Sequence, residues 1–227
     1  MKRTIIFATG IFAIALAVAM FNFSTTSNAS TLVNFADEFN SRAIDVKPTA
    51  DETDGAYGFD KAHTYIGFRV KHFGVSDIPG AFRDFTGTIN YDAKDITKSS
   101  VEFMAKVTSV DTGNGGRDNH LRTADFFEVE KFPEMTFKST KIEKKGKNLL
   151  VTGDFTLKGV TKQITIPFTM VGIIKDQRGN MHVGIAATTT INRQDYGVKW
   201  SQTLDNGILA VDNMVKVDLQ IDAAKKK

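Results

Sequence analysis

Four histidines are the first residues to ask about chemistry: His63, His72, His120 and His182. Their spacing contains no His-x-His pair and no His-Glu-x-x-His helix motif, so it offers no metal pattern. Cysteine is absent, which excludes disulfides, thiolate zinc sites, iron–sulfur clusters and a cysteine nucleophile. No Gly-x-Ser-x-Gly elbow carries a serine nucleophile. His72 or His120 could serve as a general base, but neither has a nucleophile or metal cluster beside it in the chain. The densest polar run is Arg117-Asp118-Asn119-His120-Leu121-Arg122, which follows Gly113, Gly115 and Gly116. On a helix Arg117, His120, Leu121 and Ala124 share a face, and Asp118 and Arg122 are spaced for a surface ion pair. Asn192-Arg193-Gln194-Asp195-Tyr196-Gly197 forms a second polar insertion.

The elements around these runs are read from periodicity. From Tyr57 onward apolar residues alternate with polar ones. Eight segments show it: Ile66–Val70, Phe85–Tyr91, Val101–Val107, Met135–Phe137, Leu149–Leu157, Ile164–Met170, Met181–Ile191 and Val215–Ile221. A period of two with one apolar face predicts eight half-buried strands. The turns at Lys144–Lys147 and Asp176–Asn180 are short, so sequence neighbours pair antiparallel. A sandwich and a closed barrel both bury such a face, and the barrel also removes exposed edges. Pro167 lies within the sixth strand and predicts a bulge or strand end there. The run Asp111–Pro133 breaks the alternation and reads as a glycine-rich turn with a short helix covering one end of the barrel. Inward parity makes Phe68, Phe103, Phe137, Phe155, Phe168 and Met170 candidate lining of an interior, either a cavity or a solid core. His72 shares that parity, either facing inward or bonded to a main-chain carbonyl.

Composition narrows the class further. The chain has 227 residues, 41% hydrophobic and 24% charged, as an ordinary folded protein does. Eighteen Phe against one Trp and four Tyr point to a large dry interior, because Phe has no polar handle. Residues 1–29 predict a signal peptide: Lys2 and Arg3 precede an apolar stretch from Ile5 to Phe21, and Ser27-Asn28-Ala29 supplies small residues for cleavage. An uncleaved membrane anchor is the competing reading. Without Lys2 and Arg3 the formal charge of +3 falls to +1, which argues against a nucleic-acid partner. Residues 30–56 form an acidic arm or linker, in which Leu32, Phe35, Ala36 and Phe39 have helical spacing. The remaining domain spans 57–224.

Ordered blocks along this domain resemble the YceI-like family of exported bacterial proteins. They are Asp60–Phe68; His72-Phe73-Gly74 with Gly80-Ala81-Phe82 and Phe85-Thr86-Gly87; Arg117–Arg122 with Asp125-Phe126-Phe127 and Phe132-Pro133; Gly153–Leu157 with Gly159–Lys162; and Asn192-Arg193 with Tyr196-Gly197. The resemblance covers about residues 57–222. It implies an all-β, eight-stranded antiparallel up-and-down barrel, lipocalin-like, with a short capping helix. It implies a periplasmic, noncatalytic carrier or store of a long isoprenoid lipid, such as a polyprenyl phosphate or a quinone-type amphiphile. The tail would sit in the barrel, without cofactor or metal. His72, Arg117, His120, Arg122 and Arg193 would then be candidates for a head group at the mouth, since arginine binds phosphate bidentately. Transient membrane contact and a homodimer fit such a carrier. Two other classes stay open: a lipid-phosphate hydrolase or isomerase using a cavity histidine, and a structural or interaction module with a filled core. A His–carboxylate pair opening into the cavity would favour the first, and an exposed apolar patch with a dry core the second.

Overall fold

A computed structural model describes residues 48–227. The leader and the Leu32–Phe39 spacing lie outside the described residues. Eleven strands form one antiparallel sheet that closes on itself: β1 (Gly55–Phe59), β2 (Tyr65–His72), β3 (Ser76–Phe82), β4 (Phe85–Tyr91), β5 (Ser100–Lys106), β6 (Val110–Asp111), β7 (Glu134–Lys145), β8 (Asn148–Leu157), β9 (Val160–Lys175), β10 (Met181–Asn192) and β11 (Val211–Lys225).

The eleven segments make eight barrel walls. β1 and β2 both run along β11, β4 and β3 run along that pair, and β5 and β6 along the next. Three walls are each interrupted once, and β7 to β11 complete the circle. Every wall pairs with its sequence neighbours, so the barrel is up-and-down and the sandwich is excluded. Side chains specify the interruptions. The Asp60 carboxylate accepts from Ala62 N at 2.8 Å and pairs with His63 Nδ1 at 2.8 Å, which turns the chain between β1 and β2. Lys61 and Lys106 both reach Asp84 at the break between β3 and β4.

Alternation places Tyr57, Ile66, Phe85, Ile89, Ala105, Val151 and Val183 in the buried interior. The Phe68 ring lies over Gly80 of the paired strand, where a Cβ would collide with it. Pro167 neither ends β9 nor bulges it. It stays paired with Leu150 of β8, while the ladder to β10 runs only from Met181↔Lys175 to Phe168↔Ala187. Its missing N–H therefore falls where β9 has parted from β10. The bulge lies further on, between Gly184 and Ile185 opposite Met170 and Gly172.

Two helices flank the barrel. α1 (Ala50–Thr53) carries a capping box between Thr49 and Glu52. It lies against the barrel through Tyr57 Oη, which donates to the Thr53 carbonyl at 2.6 Å, and Lys225 Nζ, which donates to the Glu52 carbonyl at 2.7 Å. α2 (Gly115–Arg122) is capped by Asn114 Oδ1 accepting from Arg117 N. The spacing of Asp118 and Arg122 predicted a surface ion pair, and the structure corrects this. Asp118 is only 7% exposed and accepts from both the N and the Oγ1 of Thr112. Arg122 turns instead to the carbonyls of Thr108 and Val110 and to Asn119 Oδ1. The cause is the sharp turn at Gly113, which brings Thr112 back over the helix start and gives Asp118 uncharged donors.

Candidate functional site: an apolar cavity inside the barrel

The barrel holds a partly open cavity of about 240 Å³. Phe68, Phe103, Phe137, Phe155, Phe168 and Met170 all line it. Their strands supply them by parity, one inward residue in two. Rings extend the lining from wall to wall. Phe59 and Phe103 lie 6.4 Å apart, Phe68 and Phe82 5.7 Å, and Phe82 and Phe127 5.8 Å. The remaining lining is largely Ile, Val and Leu; its polar members are Tyr91, Ser99, Ser100, Thr189 and Arg193. Such a surface offers dispersion and burial of hydrocarbon with few hydrogen-bonding demands.

The two ends of the cavity are lined differently. At the α2 end Leu121, Phe126, Phe127 and Val198 complete the lining, and Trp200 stacks on Phe126 at 5.2 Å. At the other end Ile96, on the short 3-10 turn Ile96–Lys98, reaches into the cavity beside Ser99 and Ser100. Alternation does not reveal these lids, because they come from connections. The adjacent pair Phe126-Phe127 inside a polar connection was the available signal.

Four of the five polar candidates lie outside the cavity lining. The His72 ring sits 4.0 Å from that of Phe73, at the end of β2. Arg117 Nε donates to Thr112 Oγ1 at 2.7 Å and Nη2 to the Thr112 carbonyl at 2.8 Å. With Arg122 it ties α2 to the chain around β6. His120 Nε2 pairs with Asp125 Oδ2 at 2.8 Å, and its ring stands edge-on to Phe126 and Trp200. This is a His–carboxylate pair near the cavity end, but neither residue lines the cavity.

Arg193 does line it, and it is 5% exposed. The sequence placed it in a polar insertion; the structure places it in a 3-10 turn, Arg193–Tyr196, where Tyr196 is buried too. That turn stands where β9 and β10 have parted, with Tyr196 against Phe155 at 5.2 Å and Lys162 paired to Asp195. All five guanidinium donors of Arg193 are engaged. Nε donates to the Asp212 carbonyl, Nη1 to the carbonyls of Val198 and Trp200, and Nη2 to the Val211 carbonyl and Asn213 Oδ1. No carboxylate pairs with it among the described residues, and burial lowers its pKa. Its donors are thus spent on folding the 198–213 connection over the barrel end. No three His, Asp or Glu side chains converge as metal ligands among the described residues.

Comparison with known proteins agrees with this architecture. A UPF0312 protein of Shewanella sp. strain ANA-3 is 40% identical over 166 residues, covering 73% of this chain and 84% of the relative. Protein YceI of Escherichia coli O157:H7 is 40% identical over 145 residues, covering 63% and 76%. Among solved structures, the YceI protein of Campylobacter jejuni superposes with a TM-score of 0.61 at 31% identity, covering 74% of this chain and 96% of that one. A polyisoprenoid binding domain from Saccharophagus degradans shares the fold at a TM-score of 0.55 and 16% identity, covering 75% and 98%. The YceI-like domain profile matches residues 57–223, and with these relatives it shows that the chain belongs to the YceI-like family.

Proposed function

We propose that the protein is an exported, noncatalytic carrier or store that holds a long isoprenoid lipid, a polyprenyl phosphate or quinone-type amphiphile, inside the barrel. The observation that carries this reading is the barrel cavity walled by phenylalanine and aliphatic side chains. An isoprenoid tail is the complementary ligand class: slender, branched and free of polar atoms. Each buried methylene-sized group contributes roughly 0.8 kcal/mol, so affinity grows with the length of chain enclosed. The polyisoprenoid binding described for the Saccharophagus degradans domain supports the same ligand class. Export rests on the leader-like residues 1–29. The engaged donors of Arg117, Arg122 and Arg193 favour a ligand held by its tail, with the head group left near the mouth.

The test is native mass spectrometry of protein purified from bacteria without delipidation, followed by solvent extraction of the bound material. A stoichiometric prenyl or quinone mass is expected. Phe103→Asp, which puts a charge into the cavity wall, should abolish retention, whereas Asp118→Ala, at a residue absent from the lining, should keep it. A folded wild-type protein that stays empty and takes up no prenyl lipid when offered one overturns the proposal.

A further inference from the structure

Large apolar side chains are exposed at six places among the described residues, and four of them gather at one end of the barrel. Val75 (83% exposed) is in the turn between β2 and β3; Leu204 (38%), Ile208 (40%) and Met214 (50%) lie in or just after the connection from Val198 to β11. The two turns touch. Phe73 N donates to the Ala210 carbonyl, and a Cβ on Gly74 would stand 3.8 Å from Ile208 Cγ2. A small hairpin, closed by Leu204 N to the Ile208 carbonyl and the Thr203–Leu209 bridge, presents Leu204 and Ile208 at its two stems. β3 meets β6 only at Ala81 and Phe82, so the β2–β3 hairpin projects past its neighbour. The opposite end differs. Its hairpin turns Lys144-Lys145-Gly146-Lys147 and Asp176–Asn180 are polar, and the one large apolar side chain exposed near them among the described residues is Ile174, just before the second turn. The other two exposed positions, Val171 and Ile174, lie on the β9 flank.

Two further features lie beside the apolar turns. Arg69 and Lys216 stand directly opposite each other across β2 and β11, and neither has an ion-pair partner among the described residues. Like charges opposed on a sheet repel and destabilise it, unless something outside neutralises them. Lys199 is likewise exposed and unpaired, whereas Lys71 is matched to Asp77 at 3.0 Å. The acidic groups nearby are Asp205; Asp212, bonded to Met214 N; and Asp218, bonded to Gln220. The ladder between β2 and β11 also skips here, from His72↔Val211 to Val70↔Val215. Residues 212–214 bow out, and Val70, Val211 and Val215 on either side of the skip all line the cavity.

We propose that this end of the barrel docks onto a lipid bilayer with anionic headgroups. Val75, Leu204, Ile208 and Met214 enter the acyl boundary, and Arg69, Lys199 and Lys216 meet the headgroup phosphates. Apolar insertion flanked by cations is how peripheral proteins hold such a surface. The skip in the β2–β11 ladder then faces the membrane, beside the cavity wall. The proposal deepens the carrier reading by naming the surface through which lipid is exchanged, and it rests on that reading only for this purpose.

Trp200, the single tryptophan, reports on the same end of the molecule. The full chain is mixed with phosphatidylcholine–phosphatidylglycerol vesicles carrying brominated acyl chains, and Trp200 fluorescence is followed. Quenching that weakens with added salt is expected. Val75→Asp with Ile208→Asp should lower vesicle affinity about tenfold or more. Both sites are exposed turn positions, and Val75→Ser with Ile208→Ser gives a milder pair should the charges perturb folding. Lys144→Glu with Lys145→Glu, at the opposite end, should change affinity less than about twofold. An unquenched wild type, equal quenching in the turn variants, or loss in the lysine variant instead, overturns the docking. The same preparations are extracted for lipid. A chain that carries prenyl lipid but is never quenched sinks the docking surface alone, and one that docks but carries nothing sinks the carrier reading alone.

Discussion

Replacing Arg193 separates a structural fastener from a ligand-binding residue. Arg193→Met keeps much of the stem but removes five donors, leaving the carbonyls of Val198, Trp200, Val211 and Asp212 and the Asn213 amide oxygen without them. Each buried acceptor left unsatisfied costs about 1–3 kcal/mol. The full sum is not reached, because the 198–213 connection relaxes and water enters. Two of these acceptors left unmet would already cost about 2–6 kcal/mol, so a loss of about 3–5 kcal/mol is expected here. Arg193→Lys retains the charge but only three donors, so at least two acceptors go unmet and about 2 kcal/mol should be lost. Urea unfolding followed by Trp200 fluorescence measures the global change. Amide exchange over 198–213 measures local opening, which could absorb part of the cost. A loss below about 1 kcal/mol in Arg193→Met, with exchange over that connection unchanged, would refute the fastener role. If Arg193 held a head group instead, bound lipid would fall while stability stayed.

Two further predictions concern folding. The Asp222 carboxylate 2.8 Å from His182 Nδ1 raises the His182 pKa, and Asp176 at 3.5 Å adds to it. A raised folded pKa stabilises the protein fully below the unfolded value near 6.5, and that share is lost as pH rises through the folded pKa. His182→Gln should therefore cost most near pH 5–6 and progressively less above. Asp176 is ionised there, since hydrogen bonds from Asn180 hold its pKa down to about 2. A stability gap between the two proteins that widens from pH 6 to 8 is the contrary result. Gly153→Ala should destabilise by about 1–3 kcal/mol, read as a lower urea midpoint, because a Cβ there would overlap the Lys138 carbonyl oxygen and the Phe137 ring. An unchanged midpoint would mean that β7 and β8 separate more easily than their register beside the Ser139 bulge implies.

The segments from Ile66 to Ile221 could be read as eight walls because strand formation leaves a local trace. Inward and outward residues alternate, and that parity alone put Phe68, Phe103, Phe137, Phe155, Phe168 and Met170 on the surface that became the cavity wall. β1 and β3 were not legible as strands. Gly55-Ala56-Tyr57-Gly58-Phe59 and Ser76-Asp77-Ile78-Pro79-Gly80 carry glycine or proline where alternation would be scored, and they form strands because β11, β4 and β2 offer them partners.

Polar side chains were the harder part for the same reason. Residue type and spacing marked Arg117, His120, Arg122 and Arg193 as groups able to meet a phosphate. Which acceptors they meet was decided by the closed barrel and its connections. Arg193 is surrounded by carbonyls from residues 198 to 212 that converge only when that connection folds back over the open seam between β9 and β10. Asp118 is buried because a turn at Gly113 returns Thr112 to it. Eight wall segments, an apolar interior and the family were legible in the residues alone. That the interior stays partly empty, what lines its ends and where the arginines point follow from the folded arrangement. Periodicity is a property of neighbouring residues, whereas the space left inside a barrel and the partners of a buried cation depend on residues far apart in the chain.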